Sequence, residues 1–273
     1  MSVSKIKGIV IVALLLVNAF FLAIIIIDHY ADVQNERQAL QNVCSVLRSN
    51  GIAINPENIK DSGALRTMRT ARGVEVESGI AEALLGEVEM TDQSVIYLNE
   101  NTEKGTAEFY SGGDFNIQLY EGVISNADGS AATAREILRN MRLETTAATV
   151  SVEAKDETVT VVGTYRGTSI YNCTIDFVFS GGNLREVKGR YVTGIESVGE
   201  GSDLSNVGTA LLEFLAVVKQ GDIWCSEIRS VESGYIHDVV GSFGEGVITP
   251  VWLLTTDNGR YVVDSATGEV RMV

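Results

Sequence analysis

Residues 9–27, IVIVALLLVNAFFLAIIII, constrain this chain more than any other stretch. The nineteen residues carry no charge, and Asn18 is the single strongly polar side chain among them. As a helix rising about 1.5 Å per residue they would span roughly 28 Å, the depth of a bilayer's hydrocarbon core. One segment can cross that core only as a helix, because every backbone N–H and C=O must be satisfied within it. No later stretch is comparably apolar. The expectation is one crossing, with everything after it on one side of the membrane.

A cleaved secretory signal would have a shorter apolar core and small residues at its cleavage site. Here Ile24 to Ile27 lead directly into Asp28-His29-Tyr30, with no Ala-x-Ala pattern. Cys44 lies well past the run, which argues against a lipid-modified cysteine, and the run lacks the early glutamate of a type IV pilin. An uncleaved anchor over residues 1–30 is the reading. Lys5 and Lys7 precede the helix, whereas Asp28, Asp32 and Glu36 follow it with only Arg37. Positive residues stay inside, so the N-terminus is expected in the cytoplasm and the chain from residue 28 onward outside a cell membrane crossed once.

Charge narrows the partners. The chain carries −15, and residues 1–27 contribute +2, so the part beyond the anchor carries −17. Such a surface repels nucleic acid and anionic lipid headgroups, and nucleic acid is excluded as a partner. The three cysteines, Cys44, Cys173 and Cys225, are widely spaced and form no C-x-x-C. Either one disulfide, Cys173–Cys225, or three buried free thiols fits that pattern. Asn172-Cys173-Thr174 matches the glycosylation triplet, a match of little weight.

Residues 31–49 read as a helical stalk. Val33, Leu40, Val43 and Leu47 recur at heptad-compatible spacing, and Asn50-Gly51 stops the run. That stripe would contact either a second helix or the chain's own domain. Residues 52–75 have no clear period; Arg66, Arg69 and Arg72 cluster there, with Glu75 and Glu77 as nearby partners. A short helix is expected over 80–88, then strands at 95–98, 107–110 and 115–120. A helix over 131–141 precedes four strands, at 150–152, 159–165, 170–179 and 184–192. Residues 203–220 are the best helix after the anchor, with Leu204, Val207, Leu211, Phe214, Leu215 and Val218 on one stripe and Gly221 at its end. Strands at 224–231, 248–255, 259–264 and 269–272 follow.

A helix followed by an antiparallel meander therefore recurs at 131–192 and 203–272, and more faintly at 80–120. Glycine-bearing turns near 111, 180 and 257 support the repetition. The fold class expected is α+β: an anchor, a stalk at 31–49, a membrane-proximal α+β domain at 50–125, and a distal one at 126–273 holding two repeats.

Chemistry is scarce. His29 sits at the membrane boundary. His237-Asp238 could be paired with Cys225 as imidazole and thiol, but no local signature supports that drawing. No G-x-S-x-G, H-E-x-x-H, phosphate-cradling or calcium loop occurs. Asp156-Glu157 and Glu200 to Asp203 lie in turns, where solvated charge is the default. No catalytic residue, metal site or cofactor is expected, and the chain is read as a non-enzyme.

Both ends resemble a known family. Ser4-Lys5-Ile6-Lys7 followed by Leu16-Val17-Asn18-Ala19-Phe20 is similar to the anchor of the YycH/YycI regulatory proteins, although Val17 here separates Leu16 from Asn18. Thr249-Pro250-Val251-Trp252-Leu253-Leu254 and the run from Tyr261 to Val270 resemble that family's closing segment, and the wider PepSY-type module. The resemblance implies a membrane-anchored, non-catalytic accessory regulator of a cell-wall-sensing two-component system. Its implied partners are a sensor histidine kinase and a sister membrane protein, met largely through the membrane helix. Within that helix Asn18, Phe20 and Phe21 are the candidate contacts, and Val33, Leu40, Val43 and Leu47 extend them along the stalk. A PepSY-type binding module for an envelope peptide or ligand, or a protease inhibitor, is the alternative.

Overall fold

The computed structural model describes residue 18 and residues 34–93, 96–101, 103–110, 112–141, 150–153, 157–198, 203–240 and 245–273. The apolar run, Asn18 excepted, lies outside the described residues, as do Phe20, Phe21 and Val33. Asn18 is helical and exposed. Among the described residues no helix is long and apolar enough to cross a membrane.

The protein is α+β, with four α-helices among the described residues and a mixed, mostly antiparallel sheet. Helix α1 covers residues 34–49. Short pieces follow: β1 (Ala53–Ile54), a 3-10 turn at Pro56–Asn58, β2 (Ile59–Lys60) and β3 (Met68–Thr70). The first helix-plus-meander unit is α2 (Val74–Leu85), β4 (Glu89–Gln93), β5 (Ile96–Asn101), β6 (Gly105–Tyr110) and β7 (Asp114–Leu119). The second is α3 (Ser130–Asn140), β8 (Val150–Glu153), β9 (Thr158–Tyr165), β10 (Thr168–Ser180) and β11 (Asn183–Arg190). After β12 (Glu196–Ser197) comes the third: α4 (Val207–Gln220), β13 (Glu227–Val239), β14 (Gly246–Thr256), β15 (Arg260–Asp264) and β16 (Val270–Met272).

The faint repeat expected at 80–120 is therefore a full unit. Its helix begins six residues earlier than the apolar spacing placed it, because Val74 to Gly79 alternate two valines with two glutamates and end in Ser78-Gly79, which breaks the helical apolar period. The first two units join through their last strands, β7 against β11, to give one antiparallel layer ordered β4-β5-β6-β7-β11-β10-β9-β8. Both α2 and α3 pack on that layer. Ile80, Leu84 and Leu85 from α2 and Ala134 and Ile137 from α3 share one core with Phe109, Ile117, Phe177 and Leu184, so this core draws on residues either side of 125.

The third unit builds the second layer. β13 to β16 form a meander, β1 and β2 add parallel to one edge of β13, and β3 extends the far edge of β14. Leu211, Phe214 and Leu215 of the expected stripe are buried beneath α4, with Leu204, Val207 and Val218 half-covered at its margin. Asn206 caps the helix, its side-chain oxygen accepting from Gly208 N at 2.8 Å, and Gly221 ends it. Trp252, 1% exposed, fills the centre of this core and donates Nε1–H to Ser205 O at 2.8 Å.

Helix α1 lies on the same core. Leu47 and Cys44 are fully buried, and Leu40 and Val43 pack beside them. Of the two occupants the stripe allowed, the protein's own second layer takes Leu47. A heptad-like stripe about four turns long cannot distinguish a partner helix from α4, because both offer an apolar ridge at the same spacing. Two of the three glycine turns, near 111 and 180, join the last two strands of their units. The turn at 257 joins the second and third strands of its unit, β14 and β15. The likeness of these turns reflects hairpin chemistry as much as repetition.

Candidate functional site

The two layers meet where β10 changes partners. Its pairing with β9 breaks between Ser169 and Thr174, and Ile170 pairs in parallel with Tyr235 of β13. Asn172 completes the seam with its side chain. Its Nδ2 donates to His237 O at 2.7 Å and its Oδ1 accepts from His237 N at 2.8 Å. With both amide atoms so engaged, Asn172 is a structural stitch and not a free acceptor for glycosylation.

His237 sits in the same seam, 3% exposed, with Nε2 3.0 Å from Thr70 Oγ1. Gly246 makes room for it: a Cβ there would run into Nε2. Burial lowers the imidazole's pKa, and the nearby Arg190 lowers it further, so the ring is held neutral. Neither Cys173 nor Cys225 is hydrogen-bonded to its ring. Cys225 lies in the second core and Cys173 in a small junction cluster with Ile170 and Tyr235. All three cysteines are free and buried. Burial raises Cys173 to about 12 and Cys225 to about 11, which leaves them protonated and unreactive. The thiol-imidazole drawing is not assembled, nor is Cys173–Cys225 a disulfide. No group of three His, Cys, Asp or Glu side chains among the described residues is placed to hold a metal.

Beside the seam lies a cavity of about 870 Å³, a size within the usual range for small-ligand sites. Strands β9 and β10 form its floor through Val161, Gly163 and Ile175, with Ile170 and Cys173 towards the junction. The first turns of α2, Met141 beyond α3, and residues 191–195 complete the walls. Thr164, Thr193, Tyr165 and Tyr191 add hydroxyls to a lining in which apolar surface exceeds polar.

Three charged side chains reach it. Arg190 is taken up by Asp114, Nε and Nη2 each bonding a carboxylate oxygen at 2.9 Å, and that bond raises its pKa. Glu75 lies in the first turn of α2, where the helix dipole favours a negative charge. Arg166 is exposed, its guanidinium 5.3 Å from the centre of the Tyr165 ring. It occupies the two-residue hairpin between β9 and β10 with Gly167, at φ 49° and 84°. Such turns need positive φ at both positions and favour Asn-Gly, so an arginine there is strained.

The sequence pointed elsewhere for function. Asn18 is placed only as an exposed helical residue, and Leu40, Val43 and Leu47 stand on the second core, away from the cavity lining. Of the basic cluster, Arg72 forms a largely buried pair with Glu77, at 2.7 and 3.0 Å, and Arg66 an exposed one with Asp203. Asp264 and Gly268 act as turn formers: Asp264 Oδ1 accepts from Ala266 N and Thr267 N, and Gly268 N donates to Asp264 O. Val161, Gly163 and Tyr165 carried the alternation of a strand, which marked an element and not a cavity. Only Arg166-Gly167, an arginine where a hairpin prefers asparagine, offered a readable signal.

No family model matches the chain, and no curated protein does. Among solved structures, a crystal structure of an uncharacterized protein from Eubacterium rectale is similar, with TM-score 0.51 and 9% identity. The match covers 81% of this chain and 92% of that one. At that identity the likeness is one of fold.

Proposed function

We propose that this protein is a membrane-anchored, non-catalytic accessory regulator of a sensor histidine kinase, with residues 9–27 as its anchor and its folded layers outside the membrane. The observation that carries the reading is the seating of α1. Cys44 and Leu47 are fully buried against α4 and the second layer, so α1, from residue 34 onward, is fixed to the folded domain. A helix fastened in a core passes displacement along its length, which a flexible tether does not. The likeness of both chain ends to the YycH/YycI proteins supports the same reading, with a kinase and a sister membrane protein as partners.

The contact resides in the anchor. An amide in an aliphatic membrane helix gains from a partner helix, by about 0.5–2 kcal/mol, and Asn18 with Phe20 and Phe21 would supply that contact. Asn18→Leu should insert normally yet reduce co-purification with the kinase. Exchange of residues 9–27 for an unrelated membrane helix should reduce it further. Undiminished co-purification and target-gene output after the exchange would overturn the reading.

The junction cavity favours a second role for the same molecule, as a binding module for a small ligand. The two are compatible, since the cavity borders the seam between the layer that carries α1 and the layer that does not.

A further inference from the structure

We infer that the junction cavity takes a small amphipathic anion, an apolar body ending in one carboxylate, with Arg166 as the residue that receives the head. This rests on the binding-module reading and is independent of any kinase contact.

The body follows from the lining. Val76, Val161, Ile175, Val192 and Ile195 present aliphatic surface, and Gly163 withholds a side chain from the floor. Apolar burial would supply most of the binding free energy, with a few polar groups fixing orientation. The sign of the head follows from which charge is left over. Arg190 is matched by the two bonds to Asp114, and Glu75 stands in the favourable field of the α2 N-terminus. Among the described residues Arg166 forms no ion pair with a carboxylate; its guanidinium lies over the face of Tyr165 and within electrostatic reach of Tyr235. In a chain of net charge −15, a guanidinium with no ion-pair partner among the described residues, at the rim of a cavity whose lining is more apolar than polar, favours an anion there. The guanidinium is suited to a carboxylate, which it can engage with two parallel hydrogen bonds. The residue also stands where asparagine or glycine would relieve the backbone, so the turn itself gives no reason for a cation.

The same head could belong to a fatty acid or to the C-terminus of an apolar peptide, and the test separates them. The full chain in lipid nanodiscs is photolabelled with a diazirine analogue of octanoate, with empty discs as the control for partition into lipid, and labelled peptides are mapped. Labelling should concentrate on residues 161–175 and 190–195. Octanoate and N-acetyl-Leu-Leu, each with one carboxylate, are then used as competitors. The better competitor identifies the source, and octylamine should compete at least tenfold less well.

Arg166→Asn should weaken labelling about tenfold while leaving the melting temperature unchanged or higher, because asparagine suits the turn. Arg166→Lys, which keeps the charge, should retain more labelling than Arg166→Asn. Ile195→Trp, at a wall outside the strands, should block labelling by filling the cavity. Equal competition by octylamine, unaltered labelling of Arg166→Asn, or labelling no greater than in empty discs would each overturn the proposal. Kinase co-purification is scored separately, so failure of the ligand and failure of the regulator are distinct results.

Discussion

The two layers bury helices on sheets by different routes. The first is built from consecutive units: each helix covers the meander that follows it, and the two meanders join through β7 and β11. The second gathers its parts from the whole chain. Its helix α4 precedes its own meander, but α1 and β1 to β3 come from residues 34–70, and Ala53 pairs with Glu227. Asn58 Nδ2 donates to Arg229 O across 171 residues. Such pairings incur a large loop-closure entropy before any contact rewards it, so the second layer is completed only when the C-terminal meander exists. The consequence for function is direct. Helix α1 is held by the last unit to be made, and the first layer is attached through the seam at β10 and β13.

The sharpest break in this comparison is a charge beneath α4. Leu211 is fully buried, so Leu211→Asp should cost on the order of 3 kcal/mol or more in a denaturant melt. The loss should be greatest where α1 docks, since both helices share one core; native-state hydrogen exchange should show α1 released together with α4. Protection of α1 unchanged in this variant would mean that α1 is held by something other than the second core.

The seam itself is tested next. Asn172→Ala leaves His237 N–H and C=O without their partners, at a cost of about 2–4 kcal/mol for two buried backbone groups. The expected loosening is local to β10 and β13, with exchange in β5 to β7 little altered. Uniform loss of protection across both layers would show that the layers unfold as one body and that the comparison between them is only architectural.

A smaller effect comes from pH. His237 has its folded pKa below the ordinary 6.5, through burial first and then Arg190, while Asp238 and Asp114 partly oppose the shift. Thr70 faces Nε2 from β3 and Gly246 lies opposite on β14, neither of them charged. The unfolded chain therefore binds the proton more readily than the folded one. Stability should be full above about pH 6.5 and should fall as pH drops below it, by at most about 1.4 kcal/mol per unit. His237→Gln should flatten the profile between pH 6.5 and 5. A wild-type profile already flat in that window would show the imidazole to be as easily protonated folded as unfolded.

Much of the first layer was legible because its contacts are local. Val159, Val161, Gly163 and Tyr165 alternate with Thr160, Val162 and Thr164 as a half-buried strand does, and the loop Asp128-Gly129-Ser130 marked the start of α3. The stripe from Leu204 to Val218 likewise announced α4 and the need for a sheet beneath it. What stayed illegible was long-range. Residues 52–75 show no period because β1, β2 and β3 are two or three residues each, fixed by β13 and β14 rather than by their own pattern. His237 looked like a candidate base because a sequence lists its neighbours in order; the structure supplies Thr70, Asn172 and Gly246, from three other elements, which make it a seam residue.

The sequence by itself determined the apolar segment, the α+β class, the three helix-and-meander units and the inward face of α4, all of them consequences of period and turn chemistry read over about a dozen residues. Tertiary structure alone decided that α1 packs on the chain's own second layer, that β7 meets β11, and that β10 bends across to β13 and leaves a cavity beside it. The reason is physical. Side-chain spacing fixes which face an element buries, but the partner for that face is chosen by contacts between residues far apart in sequence. The cavity, with Arg166 at its rim, exists only once those partners have been chosen.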